Sequence, residues 1–455
     1  MSAPQEAQNR VPNAELQRSE GRSPSKRRVG REQEVERHPR PGRGVGSNDI
    51  GDTAYDFCLV ELTGGIAPVA SLANSKQCSA APALTITRRM TPPFSRTSPR
   101  RASLCVDAAR PGAAPRGYYS LHMRRYLGCK TRLLAKIAEV VAAQCPRARR
   151  VIDIFAGTGV VGHLLNTPRR EIVVNDFLAS NAMILQAWFC AVPADRREIE
   201  EVIGALRGCE TAGPNYYSEN YGGRFFSEDV ARRIGALRDA IDAWNLRPIV
   251  KAAAVASVLY AADAAAVTCG HFDAFRPVDD ERSERRFVLR LPDIPYRANG
   301  NNLVFCRDGN ELAAEIEGDL LYVDPPYNRR QYGTLYHVLE NIALNTKPAL
   351  AGKTRKPPLD LRPHSEYCTN RAAEAMGDLI ARCRVRHLLV SYNNMSSGVG
   401  NSNALIPLGV LEAMLAGRGA VTTHRIPFPS FTARRGLLDG HQEYLLYCRV
   451  TKPPR

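Results

Sequence analysis

The stretch that most constrains this chain runs from residue 320 to 343 and reads LLYVDPPYNRRQYGTLYHVLENIA. Its first four residues are apolar and partly β-branched, which predicts a buried β-strand. Pro325 and Pro326 follow Asp324 at once, and because proline has no N–H and a fixed φ, they end strand pairing. From Thr334 to Ile342 apolar residues recur at helical spacing, which predicts a helix. The stretch therefore predicts a strand–turn–helix unit of an α/β fold.

The predicted turn carries groups that could act on a bound ligand. In open α/β sheets ligands bind at the C-terminal ends of the strands, which is where Asp324 and Tyr327 are expected. A carboxylate and a nearby carbonyl can both accept hydrogen bonds from one amino group and stabilise positive charge that develops on it. The Tyr327 ring can stack on a planar base. Taken alone, however, such a short pattern more often marks an ordinary strand end with a core tyrosine.

A glycine-bearing turn lies upstream, in residues 151–161, which read VIDIFAGTGVV. The apolar residues at its start predict a short strand, and Phe155 to Gly159 form a turn that opens a helix. Glycines there let the backbone approach a ligand closely. A second apolar strand ends at Asp176, and an acid about 20 residues after such a turn binds ribose hydroxyls in nucleotide-type folds. Together the two strands predict a nucleotide-type cofactor site.

With these motifs in this order, the chain resembles the Dam-like adenine-specific DNA methyltransferases, which use S-adenosylmethionine and carry the glycine motif before the DPPY motif. The resemblance runs from about Met123 to the C-terminus. It includes Arg125-Tyr126-Leu127-Gly128-Cys129-Lys130 before the glycine turn and Ser391-Tyr392-Asn393 at a late strand end. In this group a glycine often follows the SYN stretch, whereas here residues 394–397 intervene before Gly398.

The resemblance implies a Rossmann-like methyltransferase sheet in residues 121–190 and 301–455, with a mainly helical target-recognition insertion at 191–300. It implies site-specific transfer of a methyl group from S-adenosylmethionine to the N6 amino group of a flipped adenine in DNA. The catalytic residues that it implies are Asp324, Pro325, Pro326 and Tyr327. The cofactor-binding residues that it implies are Tyr126, Lys130, Asp153, Phe155, Ala156, Gly157, Gly159, Asp176, Asp308 and Asp324. For Asp308, a helix N-cap is the competing role.

Three other functions stay open at this point. Methylation of the cytosine amino group uses the same fold, but related enzymes more often carry serine at the first motif position, so Asp324 favours adenine. An RNA or protein amide target would favour NPPY. A catalytically inactive DNA-binding protein is disfavoured because every site residue that the resemblance implies is present.

The net charge and the cysteine spacing limit which partners and metals the protein could bind. The formal net charge is +16 and the pI about 9.5, which fits double-stranded DNA as partner and says nothing about the reaction. We expect a monomer on DNA, with a cognate restriction endonuclease as an optional second partner. The arginines between Phe275 and Arg290 and the polar residues 347–371 are expected to lie near DNA. The twelve cysteines form no CxxC pair, so neither a zinc site nor a disulfide framework is expected, and no metal is needed.

Residues 1–120 are predicted to be a disordered basic tail, because they are rich in Arg, Pro, Ser, Gly and Ala and show no periodicity. This tail could add non-specific DNA affinity, have no role, or precede a true start at Met123; in the last two cases its deletion should leave the fold intact. No secretory signal precedes the motifs, and residues 252–267 are expected to be too short to span a bilayer, so a cytoplasmic bacterial or phage-type protein is expected. Glu443 to Val450 is predicted to be an antiparallel strand at the sheet edge.

Overall fold

The computed structural model describes residues 117–393, 405–427 and 442–454. Within those ranges the strands are β1 (Tyr118–Tyr119), β2 (Arg150–Asp153), β3 (Glu171–Asn175), β4 (Leu291–Pro292), β5 (Leu303–Phe305), β6 (Glu317–Val323), β7 (Arg384–Asn393), β8 (Gly419–Pro427) and β9 (Gln442–Val450). The α-helices are α1 (Leu134–Gln144), α2 (Val160–Leu165), α3 (Ala179–Cys190), α4 (Arg196–Arg207), α5 (Tyr216–Tyr221), α6 (Glu228–Ala243), α7 (Pro248–Ala265), α8 (Asp280–Arg286), α9 (Gly309–Glu315), α10 (Tyr332–Leu335), α11 (His337–Leu344), α12 (Ala372–Arg382) and α13 (Leu408–Ala416).

The central sheet has seven strands in the order β5-β3-β2-β6-β7-β9-β8. The first five run parallel, and β9 pairs antiparallel with both β7 and β8. The predicted α/β methyltransferase sheet is therefore confirmed, as is the antiparallel direction of the last strand. Its predicted place at the sheet edge is wrong, because β8 lies outside it. Strand β8 escaped prediction because none of its residues is buried and it has no continuous apolar run, as is common for an edge strand.

The chain reverses its direction of winding at β2. From β2 it crosses to β3 on one side, while β6 lies against the other side of β2, with Asp153 opposite Tyr322 in the register. The loops that follow β2 and β6 therefore leave a crevice between them at the C-terminal ends of the strands. The glycine turn follows β2 and the Asp-Pro-Pro-Tyr turn follows β6, so the fold brings the two sequence motifs to this one crevice.

Helices cover both faces of the sheet, which explains why its parallel strands are almost continuously apolar. In β6, Leu320 and Tyr322 belong to a hydrophobic cluster shared with α1, α2, α3, α7 and α11. The alternate residues, Leu321 and Val323, belong to a second cluster with α9, α12 and α13 on the other face. Because neither face of β6 meets solvent, its end is held rigidly and fixes the position of the turn that follows.

Helix α7, from the predicted insertion, is a core helix of the protein. It is 18 residues long and apolar, so by length and composition alone it could span a bilayer, and the expectation that this segment is too short was wrong. However, 78% of it is buried inside the protein, where it packs against α3, α4, α6 and α11. The helices of residues 191–300 thus share one hydrophobic cluster with the sheet, and their role in target recognition stays a prediction.

The folded part begins before Met123. Strand β1 pairs with β4, and Tyr119 is 1% exposed and stacks on Tyr260 with ring centroids 4.0 Å apart. Leu121 is completely buried. Residues 117–120 therefore belong to the fold and not to a disordered tail. A chain that started at Met123 would lose the core side chains of Tyr119 and Leu121. The sequence hid them because a strand of two residues has no periodicity to detect. The remainder of the predicted tail, residues 1–116, lies outside the described residues.

Candidate active site

A cavity occupies the crevice between the ends of β2 and β6. It is lined by the loop before α1, the glycine turn, the end of β3 and the Asp-Pro-Pro-Tyr turn. The predicted site residues on its wall are Tyr126, Lys130, Asp153, Phe155, Ala156, Gly157, Asp176, Asp324, Pro325, Pro326 and Tyr327. Of the predicted site residues, Gly159 and Asp308 are not on that wall.

The two glycines of the glycine turn have different roles. Gly157 has φ +53° and lines the cavity, and a Cβ atom there would lie 3.1 Å from the Tyr126 ring. Gly159 has φ +77° and stands at the N-cap of α2, where a Cβ atom would lie 2.5 Å from Cδ2 of Leu185. Both backbones occupy the left-handed region that favours glycine. Gly157 thus keeps the cavity open, whereas Gly159 lets α2 pack closely on α3.

Asp176 ties the glycine turn to the end of β3. One of its carboxylate oxygens accepts a hydrogen bond from the Gly157 N–H at 2.8 Å, and the other from the Leu178 N–H at 2.9 Å. Burial raises the pKa of Asp176 to about 6, against the lowering effect of these hydrogen bonds. A carboxylate has about four acceptor positions, so Asp176 can still accept a hydrogen bond from a ligand in the cavity.

Asp153, the last residue of β2, has an unpaired oxygen at the cavity wall. Its Oδ2 accepts a hydrogen bond from the Gly162 N–H at 3.1 Å. Its Oδ1 is buried and has no hydrogen-bond partner among the described residues. Burial, and then the charge of Asp324, raise the pKa of Asp153 to about 8. A buried oxygen without a partner is unfavourable, so this position suits a ligand that brings a donor such as an ammonium group.

Asp324 and Lys130 form a mostly buried ion pair at the centre of the cavity wall. The Lys130 Nζ lies 2.8 Å from Asp324 Oδ1 and also donates to the Gly128 carbonyl at 3.2 Å. The ammonium lies 5.4 Å from the centre of the Tyr327 ring. Burial alone would lower the pKa of Lys130, but Asp324 and then Glu443 outweigh it and raise that pKa. Burial raises the pKa of Asp324, opposed by Lys130. Lys130 therefore stays charged beside the carboxylate.

Two tyrosines that the sequence reasoning missed hold the loop before α1. The Tyr332 hydroxyl donates to the Leu127 carbonyl at 3.2 Å, and the Leu127 N–H donates to the Tyr336 hydroxyl at 2.8 Å. Tyr336 also stacks on Tyr126, with ring centroids 4.7 Å apart. Both tyrosines come from the segment after the Asp-Pro-Pro-Tyr turn, spaced by one helical turn. The four-residue spacing of the two tyrosines could have indicated that they share one face of a helix, but it does not differ from the spacing of the apolar residues around them.

Asp308 follows β5, whereas the late SYN stretch ends β7, and three strands of the sheet separate the two. Asp308 is exposed and caps α9, accepting hydrogen bonds from the Asn310 N–H at 2.8 Å and the Glu311 N–H at 3.2 Å. The competing N-cap role is thus present. In the SYN stretch, Tyr392 is buried and meets Tyr327 edge to face at 6.5 Å between ring centroids. Residues 394–404, including the departure before Gly398, lie outside the described residues.

The fold and the cavity together define a class of protein. A parallel sheet that reverses at β2, with a glycine turn on one side of the crevice and an Asp-Pro-Pro-Tyr turn on the other, is a Rossmann-like methyltransferase fold. A family model described as D12 class N6 adenine-specific DNA methyltransferase matches residues 126–398. Since that match covers more than half of the chain, the protein belongs to this family.

Similar curated proteins carry related names. The chain is 29% identical to the Type II methyltransferase M.FokI of Planomicrobium okeanokoites, over 71% of this chain and 52% of the relative. It is 29% identical to the modification methylase StsI of Streptococcus sanguinis, over 72% of this chain and 52% of the relative. It is also 29% identical to the Type II methyltransferase M.NlaIII of Neisseria lactamica, over 59% of this chain and 83% of the relative. The chain thus spans about half the length of the first two relatives.

Proposed function

We propose that the protein is a site-specific DNA methyltransferase that transfers a methyl group from S-adenosylmethionine to the N6 amino group of adenine. The observation that carries this proposal is the Lys130–Asp324 ion pair in one cavity with the glycine turn. The geometry supports an amino-group acceptor beside a nucleotide-type cofactor, and family membership supports adenine in DNA.

The cavity wall between β2 and β3 offers what S-adenosylmethionine needs. The unpaired Asp153 oxygen fits its ammonium group, and the Asp176 carboxylate fits its ribose hydroxyls. Gly157 leaves room beside the Tyr126 ring, which a side chain at this position would fill. When bound, S-adenosylmethionine supplies an electrophilic methyl group. These residues bind and orient it, and none of them needs to transfer a proton.

The Asp-Pro-Pro-Tyr turn supplies the acceptors for the target amino group. Lys130 occupies one oxygen of Asp324, so the other oxygen is free to accept a hydrogen bond from an exocyclic N–H. Prolines 325 and 326 have no N–H to compete for that oxygen, and the Pro325 carbonyl can take the second hydrogen. Two acceptors stabilise the positive charge that develops on the nitrogen during transfer. The Tyr327 ring offers a stacking surface for the flipped base.

The insertion supports double-stranded DNA as the partner. Arg276, Arg282, Arg285 and Arg286 are exposed and form no ion pair within the described ranges. Unpaired guanidinium groups on one segment suit phosphates and base edges. We extend the proposal to target recognition by residues 191–300, to a protein that acts as a monomer in the cytoplasm, and to a cognate restriction endonuclease, in keeping with the relatives' names.

The proposal is tested with methyl-labelled S-adenosylmethionine and DNA, RNA or protein as acceptor. We expect label in double-stranded DNA alone, recovered after digestion as N6-methyladenine. Label in RNA, in protein or on the cytosine amino group would reject the adenine assignment, and no transfer to any acceptor would reject the enzyme. Asp324→Asn should remove transfer, because an amide loses the charge opposite the developing cation. Asp293→Asn, at an exposed position outside the cavity, is the matched control.

A further inference from the structure

Glu443 carries a buried carboxylate that belongs to neither the cofactor site nor the acceptor site proposed for the cavity. It is 6% exposed, and its Oε2 is buried without a hydrogen-bond partner among the described residues. Burying an unpaired carboxylate away from water is unfavourable. Its surroundings must therefore compensate the charge.

The sheet register places Glu443 at the same edge as Asp324. Glu443 lies opposite Asn393 of β7, and β7 runs parallel to β6, with Val390 opposite Val323 just before Asp324. Along β9, Glu443 shares its face with Leu445, which belongs to the hydrophobic cluster that contains Tyr322 of β6. Asp324 directly follows β6, two residues after Tyr322, at the end of that strand. The two carboxylates thus flank β7 at one end of the sheet.

The Lys130 ammonium interacts electrostatically with both carboxylates. Lys130 forms its ion pair with Asp324 at 2.8 Å, and Glu443 also raises the pKa of Lys130. Burial, opposed by Lys130 and reinforced by Asp324, raises the pKa of Glu443 to about 7. Glu443 forms no ion pair of its own in the described part of the chain, so it acts on Lys130 through the field of its charge.

We propose that Glu443 is a positioning residue for the methyl transfer proposed above. Its negative charge holds the Lys130 ammonium in place, so that Lys130 occupies one oxygen of Asp324 and leaves the other to the target amino group. Without that charge, a lysine between an acid and an aromatic ring is less firmly held, and Asp324 loses its fixed orientation. The inference rests on the proposed function, because it assigns Glu443 to the same reaction.

The predicted pH dependence follows from the charge of Glu443. The carboxylate acts only when ionised, and its raised pKa means that ionisation is lost as the pH falls through about 7. The groups that face it are Lys130, Asp324, Tyr322 and Tyr327, with His424 two residues before its partner Ile426 on β8. Other buried carboxyls titrate nearby, so the informative quantity is the ratio of wild-type kcat to that of a variant.

The test is Glu443→Gln in the full chain, assayed for methyl transfer to DNA between pH 5.5 and 8.5. We expect the ratio of wild-type to variant kcat to be about 10 at the high end, which corresponds to about 1.4 kcal/mol of barrier, and to fall towards 1 at the low end. Affinity for S-adenosylmethionine should change less than twofold. Glu317→Gln, exposed at the opposite end of β6, removes the same charge and should keep the ratio at 1 throughout.

A ratio that stays constant with pH, whether at 1 or above it, would overturn the role of Glu443. A structural contribution alone would give that result. If Glu443→Gln does not fold, Glu443→Asp decides: it keeps the charge at a greater distance, so kcat at pH 8.5 should fall at least threefold, and wild-type kcat would overturn the inference. An inactive wild type would instead reject the proposed function, so the two failures are distinguishable.

Discussion

Replacing Gly159 by alanine tests the division of roles within the glycine turn. The added Cβ would stand 2.5 Å from Cδ2 of Leu185 and 3.3 Å from Cε2 of Phe189, and both side chains are completely buried. Left-handed backbone costs a non-glycine residue about 1–2 kcal/mol. Overpacking a close-packed core adds about 1–3 kcal/mol. The smaller conformational freedom of the unfolded alanine chain offsets about 0.4–1 kcal/mol. We therefore expect Gly159→Ala to lower the free energy of unfolding by about 1–4.5 kcal/mol.

The matched variant is Gly157→Ala, in the same turn and the same backbone region. Its Cβ would lie 3.1 Å from the Tyr126 ring at the cavity wall, which requires a shift of a few tenths of an ångström and no rearrangement of the core. We expect a smaller loss of stability, at most about 1.5 kcal/mol, because the backbone cost of about 1–2 kcal/mol is partly offset in the same way. Because this Cβ enters the cavity, the affinity for S-adenosylmethionine should fall about tenfold, or about 1.4 kcal/mol.

Denaturant unfolding and calorimetry with S-adenosylmethionine separate the two effects. Adding Leu185→Ala to Gly159→Ala should remove the collision, so the double variant should be more stable than the sum of the single changes predicts by at least about 1 kcal/mol. Gly159→Ala with wild-type stability and weakened S-adenosylmethionine binding would refute this account. That result would mean that Gly159 contacts the ligand and that Leu185 does not constrain it.

Three further changes test other parts of the site and the fold. Asp176→Ala should weaken S-adenosylmethionine binding in calorimetry, because the ribose hydroxyls lose a charged acceptor; unchanged affinity would place that contact elsewhere. Asp153→Asn should raise the melting temperature more at pH 8.5 than at pH 5. The folded-state pKa of Asp153 is raised to about 8, so its ionisation destabilises the folded protein increasingly as the pH rises from about 4 to 8. An equal effect at both pH values would show that the pKa of Asp153 is not raised in the folded protein. A chain that begins at Met123 should be less stable than one that begins at Gly117 by about 3–6 kcal/mol, the burial of Tyr119 and Leu121 at about 1.5–3 kcal/mol each; equal unfolding midpoints would mean that β1 does not stabilise the fold.

The parts of the fold that the sequence predicted are those with strong local signals. Strands β2, β3 and β6 are short apolar runs that end in a glycine turn, an acid or a proline pair, and parallel strands deliver such ends to one edge of a sheet. Eleven predicted residues therefore meet at one cavity. Their roles in cofactor binding and catalysis stay predictions, to be settled by the variants described above.

The features that could not be predicted from the sequence depend on contacts between residues that are distant along the chain. Gly159 belongs to the glycine motif, yet its close neighbour is Leu185, a residue of another helix that local pattern cannot pair with it. Tyr336 and Glu443 reach the site from segments whose periodicity marks only a helix and a strand. Strand β9 was assigned to the edge because an antiparallel last strand gives no sign that β8 pairs outside it. In each case the sequence pattern does not show which distant residue contacts the one in question.

The central claim is that one cavity joins an S-adenosylmethionine site to an acceptor site for adenine, with Asp324 serving the second. The direct measurement is the N6-methyladenine content and position in DNA from a host that expresses the full chain, compared with the same host expressing Asp324→Ala. The wild type should mark adenine at one recurring sequence, while Asp324→Ala should leave no mark and still bind S-adenosylmethionine, because the acceptor acts mainly in the transition state. Equal methylation by Asp324→Ala, or a mark on another base, would contradict the account.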